Sequence, residues 1–174
     1  MTYEPAFNDA VQFTLVAEGV LSDNPNDAGG LTKFGITHET WDAYTVKNGL
    51  EKSSVADITV AQAIDVYHEF FWQPIAALPS ELQGPAFDFG VNSGPEQAIR
   101  AVQVVLGVKA DGELGPITIA RAAAVKVSDL RKLRNVYVSA RIAFLLELAQ
   151  HHANDVTFIG GWFNRVAKLY DFAY

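Results

Sequence analysis

The chain is 174 residues long, enough for one compact unit with a real core, and 49% hydrophobic with 19% charged residues is an ordinary globular composition. It contains no cysteine, which excludes a disulfide framework, a thiolate metal site and a cysteine nucleophile. A net charge of −7 argues against nucleic-acid binding, which needs clustered Lys and Arg, and against electrostatic capture of the whole chain by an anionic cell wall.

Met1-Thr2-Tyr3-Glu4-Pro5 places no basic stretch ahead of an apolar one, so no signal peptide is expected. No apolar run reaches the roughly 18 residues of a membrane span, and no membrane insertion is expected. Pro5 to Glu18 then reads as an amphipathic helix. Phe7, Val11, Leu15 and Glu18 follow spacings of four, four and three along one face, so a carboxylate ends an otherwise apolar stripe. Ser22-Asp23-Asn24-Pro25-Asn26-Asp27-Ala28-Gly29-Gly30 is dense in turn formers. Thr32 to Thr37, with β-formers around Gly35, predicts a short hairpin.

Helical patterns return over 39–48, 60–72, 81–91, 95–106, 116–124, 129–150 and 158–172. Thr59 is placed to cap the second of these, with Pro74 and Pro79 beyond its end. Gly94-Pro95 breaks and restarts the chain, Asp111-Gly112 marks a turn, and Gly115-Pro116 opens a helix. Leu130, Leu133, Tyr137, Phe144 and Leu148 are the predicted core of the long helix near the C-terminus, with Arg131, Lys132 and Arg134 on its solvated face. Trp41, Trp72 and Trp162 read as core residues. The predicted fold is mainly α, with a short β-hairpin and loop near the N-terminus.

Glu18 is the first candidate for chemistry. A carboxylate continuing a buried stripe is partly desolvated, which favours its protonated form, and a protonated acid is what cleavage of a glycosidic bond requires. Helix spacing alone leaves open that Glu18 turns to solvent or caps a neighbouring turn. Asp27 and Thr32 follow on the loop and hairpin. If the loop folds back over the helix end, they supply the carboxylate and hydroxyl that orient water or stabilise an oxocarbenium-like transition state. Gly29 and Gly30 would let backbone approach a sugar closely; an ordinary Asp- and Asn-rich turn is the competing reading. His38, His68, His151 and His152 show no metal-ligand spacing, and Pro25 and Ala28 occupy positions a calcium loop needs, so neither metal nor cofactor is expected.

Glu18-Gly19, Asp27-Ala28-Gly29-Gly30-Leu31-Thr32 and Phe34-Gly35-Ile36-Thr37 together resemble glycoside hydrolase family 108, which holds phage endolysins and related bacterial muramidases of lysozyme-like helical fold. Tyr67 to Trp72, Asp88 to Gly94, Ala110 to Pro116 with Thr118, Arg141, and Gly161 to Arg165 continue the similarity in order. The family's C-terminal part is a predicted peptidoglycan-binding region. Where it shows Gly-Gly-Tyr after the glutamate, this chain has Gly19-Val20-Leu21. The resemblance implies one lysozyme-like domain, with a catalytic lobe over 1–92 and a helical, peptidoglycan-binding-like lobe over 93–174. It implies Glu18 as general acid on the bond between N-acetylmuramic acid and N-acetylglucosamine, Asp27 and Thr32 as its catalytic partners, and Gly30, Phe34, Asn92 and Ser93 as sugar contacts.

The expected role is a phage endolysin. It would act as a monomer on peptidoglycan glycan strands, be made in the host cytoplasm, and reach the wall in the periplasm by holin-dependent release. A secretion-associated or effector muramidase of bacterial origin, a non-catalytic peptidoglycan-binding protein and a lytic transglycosylase are the alternatives.

Overall fold

The computed structural model describes residues 2–18, 21–22, 32–151 and 159–170, leaving aside the side chains of 16–18, 21–22, 151 and 159. The chain forms two compact units, Met1–Gln73 and Pro74–Tyr174. The architecture is mainly α, as the periodicity predicts.

In the first unit, α1 spans Pro5–Glu18, the range its apolar spacing predicts. Phe7 and Val11 are buried and Leu15 half-buried, so the inward stripe is the one read from sequence. A small antiparallel sheet follows, β1 (Leu21–Ser22), β2 (Thr32–Lys33) and β3 (Ile36–Thr37), in that order. The expected hairpin is β2–β3; β1 is an addition, since two residues carry too little alternation to announce a strand. Thr37 ends the sheet and caps α2 (His38–Lys47), its hydroxyl accepting from the Thr40 amide at 3.2 Å. Trp41 is buried on α2 and its indole donates to the Ser53 carbonyl at 3.0 Å.

The predicted 60–72 helix is two windings. α3 (Val60–Val66) opens with a complete Thr59/Gln62 capping box, and a π-helical turn covers Tyr67–Trp72. Five residues apart on an α-helix point about 140° from each other. The wider winding brings Tyr67 and Trp72 closer to one line, and both are buried. Trp72 then donates its indole N–H to Glu4 at 2.5 Å, tying the turn to the residue just before α1.

In the second unit, α4 (Ser80–Ser93) is buried at nearly every position from Leu82 to Gly90 and packs against α5 (Pro95–Leu106) and α7 (Val127–His151). The lobes that the resemblance implies divide at 92/93, which lies within the second compact unit. Gly94, at φ 89°, makes the turn between α4 and α5. α6 (Pro116–Ala123) packs on α5, and α8 (Ile159–Lys168) on α7.

Two side-chain expectations are corrected. On α7, Leu130 and Tyr137 are buried, but Leu133, Phe144 and Leu148 are only half-buried, and Val138, Arg141, Leu145 and Ala149 complete the inward line. A carboxylate on α4 draws Arg141 into the core and fixes the rotation of the helix. Trp162, read as core, is half-buried on α8. That helix stops at Lys168, where Leu169 and Tyr170 turn back with i→i+3 bonds to Val166 and Ala167. Among the described residues no helix is long and apolar enough to cross a membrane.

Candidate functional site

Glu18 is the last residue of α1, and β1 starts three residues later. Register does the rest. Ser22 lies opposite Thr32, and Thr32 lies opposite Thr37, so Thr32 returns beside the chain four residues from Glu18. It does so from fourteen residues away in sequence. The loop expected to close over the helix end, with Asp27 and Gly30, lies outside the described residues, as does the Glu18 side chain.

The β2–β3 turn is built tightly. Phe34 and Gly35 have φ of 54° and 75°, the left-handed pair that matches the twist of a two-residue hairpin. Gly35 adopts this conformation freely, while Phe34 does so at an energetic cost that its surroundings must offset. Several contacts hold it. The Tyr67 hydroxyl donates to the Phe34 carbonyl in the interior. Lys33 donates to the Ala56 carbonyl at 2.7 Å while its ammonium lies 5.5 Å from the centre of the Phe34 ring. Phe34 is itself only 9% exposed, as is Thr32. The π-helical turn thus fixes the hairpin, and the hairpin fixes Thr32.

Asn92 and Ser93 sit together in the last turn of α4, in the second unit, where Ser93 Oγ donates to Asn92 Oδ1 at 3.3 Å. One turn earlier is a cluster that sequence reasoning left without a role. Asp88 is fully buried and accepts from Arg141 at 2.5 Å and from Arg165 at 2.7, 2.9 and 3.1 Å. Burial alone would raise the Asp88 carboxyl, but the two guanidiniums beside it outweigh that and hold it below the usual carboxylate range. Arg141 also stacks over Phe89, 5.2 Å from the ring centre. The signal was present: Arg141 interrupts the apolar line of α7 as Glu18 ends that of α1. Because Asp88 and Asn92 are four residues apart on α4, this cluster anchors the face that carries Asn92.

The second unit also holds a rigid turn at Asp111-Gly112. The Gln103 side chain donates to Asp111 Oδ1 at 2.7 Å and the Glu113 carbonyl at 2.9 Å, and accepts from the Gly112 amide at 2.8 Å. The Gln103 and Glu113 bonds hold the Asp111 carboxyl below its ordinary value.

Comparison with known proteins adds to this geometry. Residues 11–94 match the family model described as Glycosyl hydrolase 108, and residues 97–167 match the one described as Predicted Peptidoglycan domain. No curated protein matches the chain. Among solved structures it is similar to SagA of Brucella abortus, with 31% identity, 95% of this chain and 91% of SagA covered, and a TM-score of 0.79.

Proposed function

Because the chain belongs to glycosyl hydrolase family 108 and is a glycoside hydrolase of peptidoglycan, we propose that it is an N-acetylmuramidase that cuts the β-1,4 bond between N-acetylmuramic acid and N-acetylglucosamine. The observation that carries this reading is the match over 11–94, which spans Glu18, Asp27 and Thr32, together with the register that returns Thr32 towards the end of α1. In this reading Glu18 protonates the glycosidic oxygen. Its place at the carbonyl end of a helix supports the role, since the partial negative charge there opposes loss of the proton. Asp27, steadied by Thr32, orients the attacking water or faces the positive charge developing at the anomeric carbon. Gly30 contacts the sugars, and Phe34 contributes through the turn it shapes.

Permeabilised cells test the assignment: the wild type clears the suspension and Glu18→Gln does not. Clearing at the wild-type rate by Glu18→Gln removes Glu18 from the mechanism. Mass spectrometry of the released fragments separates hydrolysis, which leaves reducing ends, from a transglycosylase, which leaves anhydro ends.

For the biological role we propose a phage endolysin, made in the host cytoplasm, released by a holin and active as a monomer without a cofactor. The similarity to a protein of Brucella abortus favours a second reading, a muramidase of bacterial origin. Expression of the chain in a host with and without a holin tests the release route: lysis only when the holin is present is expected of the endolysin, and lysis without it refutes that role.

A further inference from the structure

The π-helical turn Tyr67–Trp72 is held at both of its ends. At the first end the Tyr67 hydroxyl donates to the Phe34 carbonyl of the hairpin. At the last end the Trp72 indole, on a side chain in the core, donates to Glu4 Oε1 at 2.5 Å. The second Glu4 oxygen lies 3.3 Å from Nε2 of His68, within the same turn. One carboxylate therefore bridges two side chains of a rare winding, of a kind found mostly as single turns and often beside functional sites.

Glu4 is also the root of α1. Its carbonyl accepts from the Asn8 amide at 3.1 Å, so the helix starts from it. Phe7, on the first turn, packs edge-on against His68 and Trp72, with ring centres 4.9 and 5.5 Å away. Tyr3 lies against the His68 ring at 4.6 Å and bonds Asp65 through its hydroxyl. Burial acts to raise the Glu4 carboxyl, but bonds from its own amide, Trp72 and His68 outweigh this and hold it below its ordinary value. Near neutral pH the bridge is therefore a charged acceptor.

These contacts close a path within the first unit. It runs from Glu18 back along α1 to Glu4, across to Trp72, along the turn to Tyr67, over to Phe34 and through the hairpin to Thr32. α1 is 14 residues long, about 20 Å at 1.5 Å per residue, so Glu4 lies at the opposite end of the helix from Glu18. We propose that Glu4 is a positioning residue of the glycosidase site. It couples the helix that carries the acid to the turn that holds the hairpin, and so sets where Thr32 stands relative to the end of α1. The inference rests on Glu18 and Thr32 taking part in the cleavage. The tolerance is narrow, because displacing a catalytic group by about 1 Å costs roughly a hundredfold in rate.

The Glu4 side chain is 45% exposed, so the lower end of the worth of a hydrogen bond to a charged acceptor applies, about tenfold in the ratio of closed to open turn. Glu4→Ala withdraws that acceptor from a buried indole and should loosen the turn by about this factor. Glu4→Gln keeps an oxygen that can accept from Trp72 and should loosen it less.

The test follows amide hydrogen exchange over residues 32–37 of the full chain and, separately, kcat and KM for release of reducing ends from soluble glycan fragments of peptidoglycan. In Glu4→Ala the hairpin should exchange about tenfold faster than in the wild type, and kcat should fall about tenfold with KM changed by less than about twofold. Glu4→Gln should lie between the two in both readouts. Thr45→Ala is the control for general destabilisation. The Thr45 hydroxyl bonds the Asp42 carbonyl at 2.9 Å, outside this path, so its loss should lower Tm and leave exchange and kcat within about twofold. Added to Tyr67→Phe, Glu4→Ala should raise hairpin exchange by less than about twofold, because the path is already open at Tyr67. Hairpin exchange unchanged in Glu4→Ala, faster exchange with unchanged kcat, an equal effect of Thr45→Ala, or full multiplication of the two effects in the double variant each overturns the proposal. If the wild type releases no reducing ends, the hydrolase reading falls, while the exchange comparison still decides whether Glu4 governs the hairpin.

Discussion

Asp88→Asn tests whether the buried charge cluster organises the second unit. The substitution keeps the shape of the side chain and removes its charge, leaving Arg141, 1% exposed, and Arg165, 13% exposed, without their shared counter-ion. Removing one partner of a buried ion pair destabilises by about 3–5 kcal/mol, because the remaining charge stays desolvated. Against a total stability of about 5–15 kcal/mol this is a large fraction. For a chain of this length it lowers Tm by roughly 6–20 °C, taking about 2–4 °C per kcal/mol. The assay is urea and thermal unfolding followed by far-ultraviolet circular dichroism.

The acid dependence supplies an independent reading. The folded Asp88 carboxyl is held below its ordinary value, so the unfolded chain binds a proton more readily than the folded one. Its contribution is present above the unfolded value of about 3.9 and is lost as pH falls through the folded value. The wild type should therefore lose stability on acidification in that window, and Asp88→Asn should lose less. Replacing the whole cluster, Asp88→Leu with Arg141→Met and Arg165→Met, should recover most of the stability, since apolar side chains of similar size carry no desolvation penalty. A loss under about 1 kcal/mol in Asp88→Asn, with an unchanged acid limb, would refute the argument that this carboxylate is what holds Arg141 inside.

Three further outcomes follow from single contacts. Tyr67→Phe removes the donor to the buried Phe34 carbonyl and should destabilise the first unit by about 1–3 kcal/mol, with a parallel drop in wall hydrolysis measured as turbidity loss. Gly112→Ala forces a side chain into φ +86°, with its Cβ 2.5 Å from Glu96 Cγ; a loss of about 1–3 kcal/mol is expected in urea unfolding. Thr59→Ala breaks the capping box of α3 and should lower stability by about 1 kcal/mol, whereas Thr59→Ser should restore it.

What the sequence made legible depended on how local the cause is. α1 and α5 were readable to the residue, because apolar spacing, Pro at the start and Gly94 or Gly107 at a boundary act within one turn. The switch to π winding at Tyr67 was not, because it is driven by the burial of Tyr67 and Trp72 and by partners as distant as Glu4 and Phe34. The rotation of α7 was hidden for the same reason: Leu133 and Phe144 are as apolar as Leu130, and only Asp88, 53 residues before Arg141, decides which line faces inward. Site chemistry followed the same division. A charge ending or interrupting an apolar stripe is visible in the sequence at both Glu18 and Arg141, but the pattern does not say whether a reaction or a buried ion pair explains it. Arg141 is explained by a bonded carboxylate in the interior. Net charge was the most misleading average, since −7 for the whole chain conceals a second unit in which cations outnumber acids. Electrostatic contact with a wall acts over about one Debye length, near 8–10 Å at ordinary salt. Over that distance the charge of the nearest surface acts, and the sum over the chain does not govern such an encounter.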